Sequence, residues 1–217
     1  MDWNSLIKLM PAFLEGTKLS VQLFFITLLV ALPLGVLIAL GRMSRFKPLS
    51  GLIAVLQWLI RGTPLMLQLI MVMYLPSIAF GIRGMDRFVA ACVAFGINYA
   101  FYFSEIYRSG IESVPRGQRE AAKVLGLSRS RTFNHIILPQ TIKHILPSMG
   151  NEFMTLVKDT ALAQVIGNSD LLKVAQAQMN RTTSMVPLLV AGLFYVVMNG
   201  IVQLIMHAWE KKLAYYR

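Results

Sequence analysis

A chain of 217 residues with 56% hydrophobic and only 14% charged side chains falls well below the roughly 25% charge of soluble domains, which excludes an ordinary water-soluble globule and leaves an integral membrane protein. The formal net charge of +11 does not indicate nucleic acid, because the basic residues stand at the ends of apolar runs rather than in a stripe with interleaved aromatics. The single cysteine, Cys92, excludes an internal disulfide or a redox pair and reads as a small packing residue.

In chain order, Leu6, Leu9, Met10 and Phe13 follow Trp3 at helical spacing, which predicts a short helix lying on the membrane surface within residues 1–18. The start Met1-Asp2-Trp3 has no positive n-region, so no signal cleavage is expected. Residues 19–40 form the first predicted span, whose helical rise of about 33 Å is enough for the hydrocarbon core. Within it Ala31, Gly35 and Ala39 recur every four residues. They are either a packing face for another helix or the generic small residues of a membrane helix. Arg42, Arg45 and Lys47 follow. Residues 49–80 are too long for one simple span and are interrupted by Arg61-Gly62-Thr63-Pro64, which predicts a broken or kinked helix. Arg61 would then stand roughly 18 Å along the helix and need a partner or water.

A short loop at 81–87 leads to a third span at 88–107. Near its end Glu105 and Arg108 lie three apart and are predicted to pair close to the interface. The stretch 112–139 is polar and basic. Pro115 suits a helix start and Gly126 the left-handed position after a helix, so 116–125 reads as a short helix outside the bilayer. Ala121 and Ala122 offer a low face, with Arg116, Arg119, Lys123, Arg129 and Arg131 around it. An ordinary basic cytoplasmic loop is the plainer reading of the same residues.

Residues 145–167 look poor by hydropathy because they hold Asn151, Glu152, Lys158, Asp159 and Gln164. Yet a basic loop at 112–139 and a basic tail at 211–217 share one side of the membrane only if this stretch crosses as well as 186–206. Of the 21 lysines and arginines, thirteen then fall on the cytoplasmic side, six (Arg83 among them) outside, and Arg61 and Lys158 within the membrane. The positive-inside rule predicts five spans, with the N-terminus outside and the C-terminus, including Arg217, inside. At 100° per residue, Glu152, Thr155 and Asp159 fall within about 60° of one another, with Asn151 and Lys158 on an adjoining face. Ionisable groups at this depth are functional candidates, although a structural network such as Lys158 with Asp159 is an equal reading. His135, His144 and His207 are scattered, so a metal site is not expected. The chain has no nucleophile elbow, HExxH or phosphate loop, which argues against catalysis and against a nucleotide site of its own.

Glu120-Ala121-Ala122, three residues, Gly126, nine residues and Ile136-Ile137-Leu138-Pro139 resemble in spacing the EAA loop of permease subunits of binding-protein-dependent ABC importers. Arg61-Gly62-Thr63-Pro64 with Gln68 resembles the polar amino acid subfamily. Ser104-Glu105-Ile106-Tyr107-Arg108-Ser109-Gly110-Ile111, with Ser113, Pro115, Gly117 and Gln118, extends the likeness upstream.

The resemblance implies an all-α membrane protein of the bacterial cytoplasmic membrane, with five transmembrane helices in a permease domain at 19–210, an N-terminal interfacial helix and a cytoplasmic coupling helix. It implies ATP-driven import of polar amino acids by alternating access. The implied partners are a cytoplasmic ATPase dimer that binds ATP and Mg, a second permease subunit, identical or related, an external substrate-binding protein and membrane lipid. The chain itself would bind no cofactor and no nucleic acid. Glu120, Ala121, Ala122 and Gly126 would couple to the ATPase, while Arg61, Gln68, Glu152, Thr155, Lys158 and Asp159 would line the substrate path. A zwitterionic amino acid needs a negative partner for its ammonium and donors for its carboxylate, and these residues offer both. The alternative class is an ATP-independent membrane protein such as a secondary transporter, which commonly carries two related halves. No such internal repeat is visible, and the sequence does not select one amino acid.

Overall fold

A computed structural model describes residues 3–81 and 84–213, and the described residues are helices and their connections. Arg83, Arg217 and most of the expected tail lie outside the described residues. The first helix, α1, runs Trp3–Arg42, 40 residues and so about 60 Å, twice the hydrocarbon thickness. The surface helix expected within residues 1–18 is therefore not a separate element, because it continues straight into the first span. Gly16 would ordinarily weaken that junction, but a tertiary contact holds it: a methyl on Gly16 would stand 2.9 Å from Leu171 Cα. The backbone of the later chain fits only against a glycine there.

One stripe of α1, comprising Phe13, Gly16, Ser20, Leu23, Thr27, Ala31, Gly35 and Ala39, is buried. Phe25, Leu29 and Leu37 on the other face are exposed, as suits lipid. The small residues at 31, 35 and 39 are thus a packing face. Their partner is α4 (Arg87–Ser113), whose Ala100 carbonyl oxygen and Phe103 Cβ lie 3.0 Å from where a Gly35 methyl would be.

Between them the chain forms α2 (Lys47–Gly62) and α3 (Leu65–Phe80), which turn by 106° at the break. The residue before Pro64 is driven out of helical geometry and Pro64 has no amide hydrogen, so the helix stops where the sequence predicts. The α4 helix starts on Asp86, whose carboxylate accepts from the Phe88 and Val89 amides, and it is the most buried helix of the fold. Phe95, Tyr99 and Phe103 of α4 line its core, and Phe153 meets Phe103 edge-on at 5.9 Å.

Next come α5 (Arg116–Val124) and the single turn α6 (Arg129–Thr132). A π turn at Phe133–Ile137 leads into α7 (Leu138–Asp159), which tightens to a 3₁₀ stretch at Thr160–Ile166 and ends at Gly167 with φ +91°. The helix α8 (Leu171–Thr182) is capped by Asp170, and α9 spans Val186–Leu213. Phe13, Leu171, Ala175 and Ala191 form a second small core that joins α1, α8 and α9.

Among the described residues, three helical stretches, Ile7–Arg42, Arg87–Ser113 and Val186–Leu213, are long and apolar enough to cross a membrane, with a fourth crossing if the bent α2 and α3 pair counts as one. The polar residues of α7 keep it outside that count.

Asp170 is fully buried and accepts from the Leu172 amide at 3.0 Å and the Lys173 amide at 3.3 Å. Burial pushes its carboxyl up to about 6, against the pull of those amides. Because the folded-state value is raised, ionised Asp170 is disfavoured in the fold. Stability should therefore fall as pH rises from about 4 to about 6 and level off above that. Asp170→Asn keeps an acceptor for the cap and should flatten this segment of a thermal-unfolding pH series. In the same assay Gly16→Ala should cost about 1–3 kcal/mol by overpacking. Gly192→Ala, where a methyl meets nothing within 4 Å, should be neutral or slightly stabilising.

Candidate functional site

The break between α2 and α3 opens one side of a cavity of about 480 Å³. Ending a helix at Thr63-Pro64 leaves carbonyls without amide partners, and two side chains take them up. Thr63 Oγ1 donates to the Leu59 oxygen at 2.9 Å, and Gln68 Nε2 donates to the Ile60 oxygen at 2.7 Å. The other end of the Gln68 amide accepts from Asn98 Nδ2 at 3.0 Å, which ties the break to α4. Gln68 is therefore a brace beside the cavity rather than part of its lining.

Arg61, Glu152, Thr155 and Asp159 do converge on the cavity. The Arg61 guanidinium sits 5.1 Å from the centroid of the Tyr102 ring, a cation–π arrangement, and among the described residues it makes no ion pair. Tyr99 Oη donates to Asp159 Oδ2 at 2.8 Å, which orients that carboxylate. Glu152 lines the cavity and, among the described residues, has no ion pair or hydrogen bond. Thr155 donates to the Asn151 carbonyl oxygen at 3.0 Å. Lys158 departs from the expected set: it is exposed on the outside of α7, lines no part of the cavity, and among the described residues makes no ion pair with Asp159 or any other carboxylate.

Asn98, Tyr99 and Tyr102 of α4 also line the cavity, and the sequence reading missed them. Their signal was available, since an asparagine and a tyrosine four apart inside an apolar span share one helical face. Glu105 and Arg108 pair as predicted. Gln57 of α2 adds a donor to Glu105 at 2.8 Å, so that network fastens α2 to α4 and is structural. The cavity as a whole offers two carboxylates, one guanidinium and several hydroxyls beside the rings of Tyr99 and Tyr102, an arrangement that can hold a small solute carrying both charges.

A second set of residues gathers at α5. Leu127 N donates to the Ala122 oxygen and Gly126 N to the Lys123 oxygen, both at 3.0 Å, which together form a Schellman cap around Gly126 at φ +72°. Glu120, Ala121 and Gly126 are exposed, but Ala122 is buried, so the low face expected from both alanines is open only at Ala121. The outward apolar contact surface comes instead from Val124, 87% exposed, and Leu125, 76% exposed. The sequence reading missed this pair, although two apolar residues beside the cap glycine of a polar helix were visible. Next to them Arg119, Lys123 and Arg129 surround a cleft of about 460 Å³ floored by Leu127, Phe133 and Ile137.

The family model of the binding-protein-dependent transport system inner membrane component matches residues 31–215. The chain belongs to that family. This permease is 37% identical over 215 residues to the arginine transport system permease protein ArtQ of Bacillus subtilis (strain 168), covering 98% of this chain and 97% of the relative. It is 34% identical over 208 residues to the L-cystine transport system permease protein TcyB of the same organism, covering 95% and 88%. A crystal structure of an amino acid ABC transporter with histidines superposes with a TM-score of 0.88 at 34% identity, over 98% of the permease and 99% of that chain.

Gln68→Leu removes the amide that serves both the Ile60 carbonyl and Asn98. It should lower thermal stability of the purified permease by roughly 1–3 kcal/mol, the cost of leaving buried polar groups unpaired.

Proposed function

We propose that this chain is the membrane permease of an ATP-driven importer of polar amino acids in a bacterial cytoplasmic membrane. The observation that carries the reading is the convergence of Arg61 with Glu152 and Asp159 on one cavity at a broken helix, in a chain of this family. The substrate ammonium meets the two carboxylates. The substrate carboxylate meets Arg61 and the start of α3, whose first amides and dipole favour negative charge.

In this reading α7 with its 3₁₀ end is a crossing, polar because it lines the path, and the α2 and α3 pair is another. The chain then crosses five times, with its N-terminus outside and its C-terminus inside. The permease domain occupies 19–210, with the coupling loop at 112–139, an external segment at 1–18 and a cytoplasmic tail at 211–217. ATP and Mg belong to a separate ATPase dimer, which receives α5 through Glu120, Ala121 and Gly126, with Val124 and Leu125 as apolar anchors and Ala122 holding the helix in place. Closure of that dimer rocks the spans between outward and inward openings. An external binding protein delivers the substrate, and a second permease subunit completes the membrane portion. The named relatives transport arginine and L-cystine by their descriptions, so the family alone does not select the amino acid here.

The test is to co-express the permease with its partner subunits, purify the complex in lipid and measure ATP hydrolysis against a panel of amino acids with and without binding protein. Stimulation by a set of amino acids supports the reading. Hydrolysis indifferent to all of them, or no co-purifying ATPase, would return the chain to the ATP-independent class. Asp159→Asn should change substrate-stimulated hydrolysis several-fold without releasing the ATPase. Gly126→Leu strains a left-handed position by about 1 kcal/mol in open space. It should leave membrane insertion intact while uncoupling or releasing the ATPase.

A further inference from the structure

The stretch 112–139 joins the end of α4 to the start of α7, and its two stems meet at one joint. Gly110, in the last turn of α4, is buried. A methyl there would overlap Ile145 Cγ2 and stand 3.3 Å from Thr141 Cγ2, both of α7. Beside this contact His144 Nδ1 of α7 lies 2.7 Å from Ser113 Oγ of α4. The serine sets the direction of that bond. Its hydroxyl already donates to the Gly110 carbonyl oxygen at 2.8 Å, so Ser113 Oγ accepts and the imidazole Nδ1–H donates. The relay ends on a carbonyl that the last turn of a helix leaves without an amide.

The next such carbonyl is taken from the other side. Arg119 of α5 donates to the Ile111 oxygen at 3.2 Å, which ties the short helix to the same turn of α4. From the joint, α7 continues through Pro147 as one helix. Glu152 stands about 12 Å along it from His144 and lines the cavity with Asp159. Three side chains and one glycine contact therefore join α5, the end of α4 and the charged wall of the cavity.

We propose that Ser113 and His144 are positioning residues for coupling. With the contact at Gly110 they hold α4 and α7 in register, so that a displacement of α5 reaches Glu152 and Asp159 instead of being lost as slippage between the stems. Apolar packing at Gly110 holds the two helices close but is non-directional, and it leaves α7 free to turn about its own axis. A hydrogen bond is directional. This one fastens a single face of α7 to a single turn of α4 and fixes that rotation. The inference rests on the permease reading and adds which side chains carry movement from the loop to the cavity.

The readout is the ratio of amino-acid-stimulated to basal ATP hydrolysis in the complete complex in lipid, with ATPase retention and thermal unfolding followed alongside. Ser113→Ala and His144→Ala should each lower the ratio about two- to tenfold, as loss of one hydrogen bond does, with the ATPase still bound and the unfolding temperature nearly unchanged. The two changes together should lower it no further than the worse one alone, because both remove the same bond. Ser113→Thr keeps the hydroxyl and should match the parent. Gly110→Ala should also lower the ratio by forcing the stems apart, and adding Ile145→Ala, which removes the overlapped methyl, should recover most of it. An unchanged ratio in both alanine variants would overturn the proposal, as would effects of the pair that simply multiply, or a Ser113→Thr variant as impaired as Ser113→Ala. Loss of bound ATPase or a large fall in unfolding temperature in Ser113→Ala and His144→Ala would also overturn it, since the pair would then be holding the fold. A parent complex that no amino acid stimulates would instead remove the importer reading, and this inference with it.

Discussion

The structure depends on how closely α1 approaches α4. With only backbone and methyl groups at Ala31, Gly35 and Ala39, α1 lies so near that a Gly35 methyl would meet the Ala100 carbonyl oxygen at 3.0 Å. In a membrane this contact does not draw on the hydrophobic effect, since lipid is as apolar as the core. It draws on dispersion and on the shape match of small residues. Once α4 is held along its length, α3 and α7 pack around it, and the face of α4 with Asn98, Tyr99 and Tyr102 turns toward the cavity. The lower half of α1 repeats the device at Gly16, where it carries α8 and α9.

A second constraint follows from the bilayer. Backbone groups freed at a helix break must be satisfied inside the protein, and Thr63 and Gln68 do this at the Thr63-Pro64 break. Irregular backbone within a membrane is tolerable only where it is buried in protein or beside a cavity, and this break borders the cavity. The charges follow the same logic. Arg61 rests on an aromatic face, Asp159 on a tyrosine hydroxyl, and Glu105 on Arg108 and Gln57. Among the described residues, Glu152 at the cavity and exposed Lys158 have no such arrangement.

The loop at 112–139 is held differently, by local geometry more than by burial. A Schellman cap at Gly126 and one inward alanine fix a short helix, and its apolar tip projects beside a cluster of cations. That combination presents an apolar tip on a locally fixed helix.

Much of this was legible from residue order alone. The membrane class, the break at Pro64, the Glu105–Arg108 pair, the helix ending at Gly126 and the shared face of Glu152, Thr155 and Asp159 all follow from local rules of spacing, backbone stereochemistry and charge. Those rules act over a few residues and need no knowledge of the rest of the chain. Tertiary structure alone decided the remainder. It made α1 one continuous helix, because Gly16 is secured by Leu171, far away in sequence. It assigned Gln68 to bracing, added Asn98, Tyr99 and Tyr102 to the cavity, turned Ala122 inward and left Lys158 outside. Each of these depends on which element lies across from the residue, and periodicity along a single helix carries no record of its neighbours.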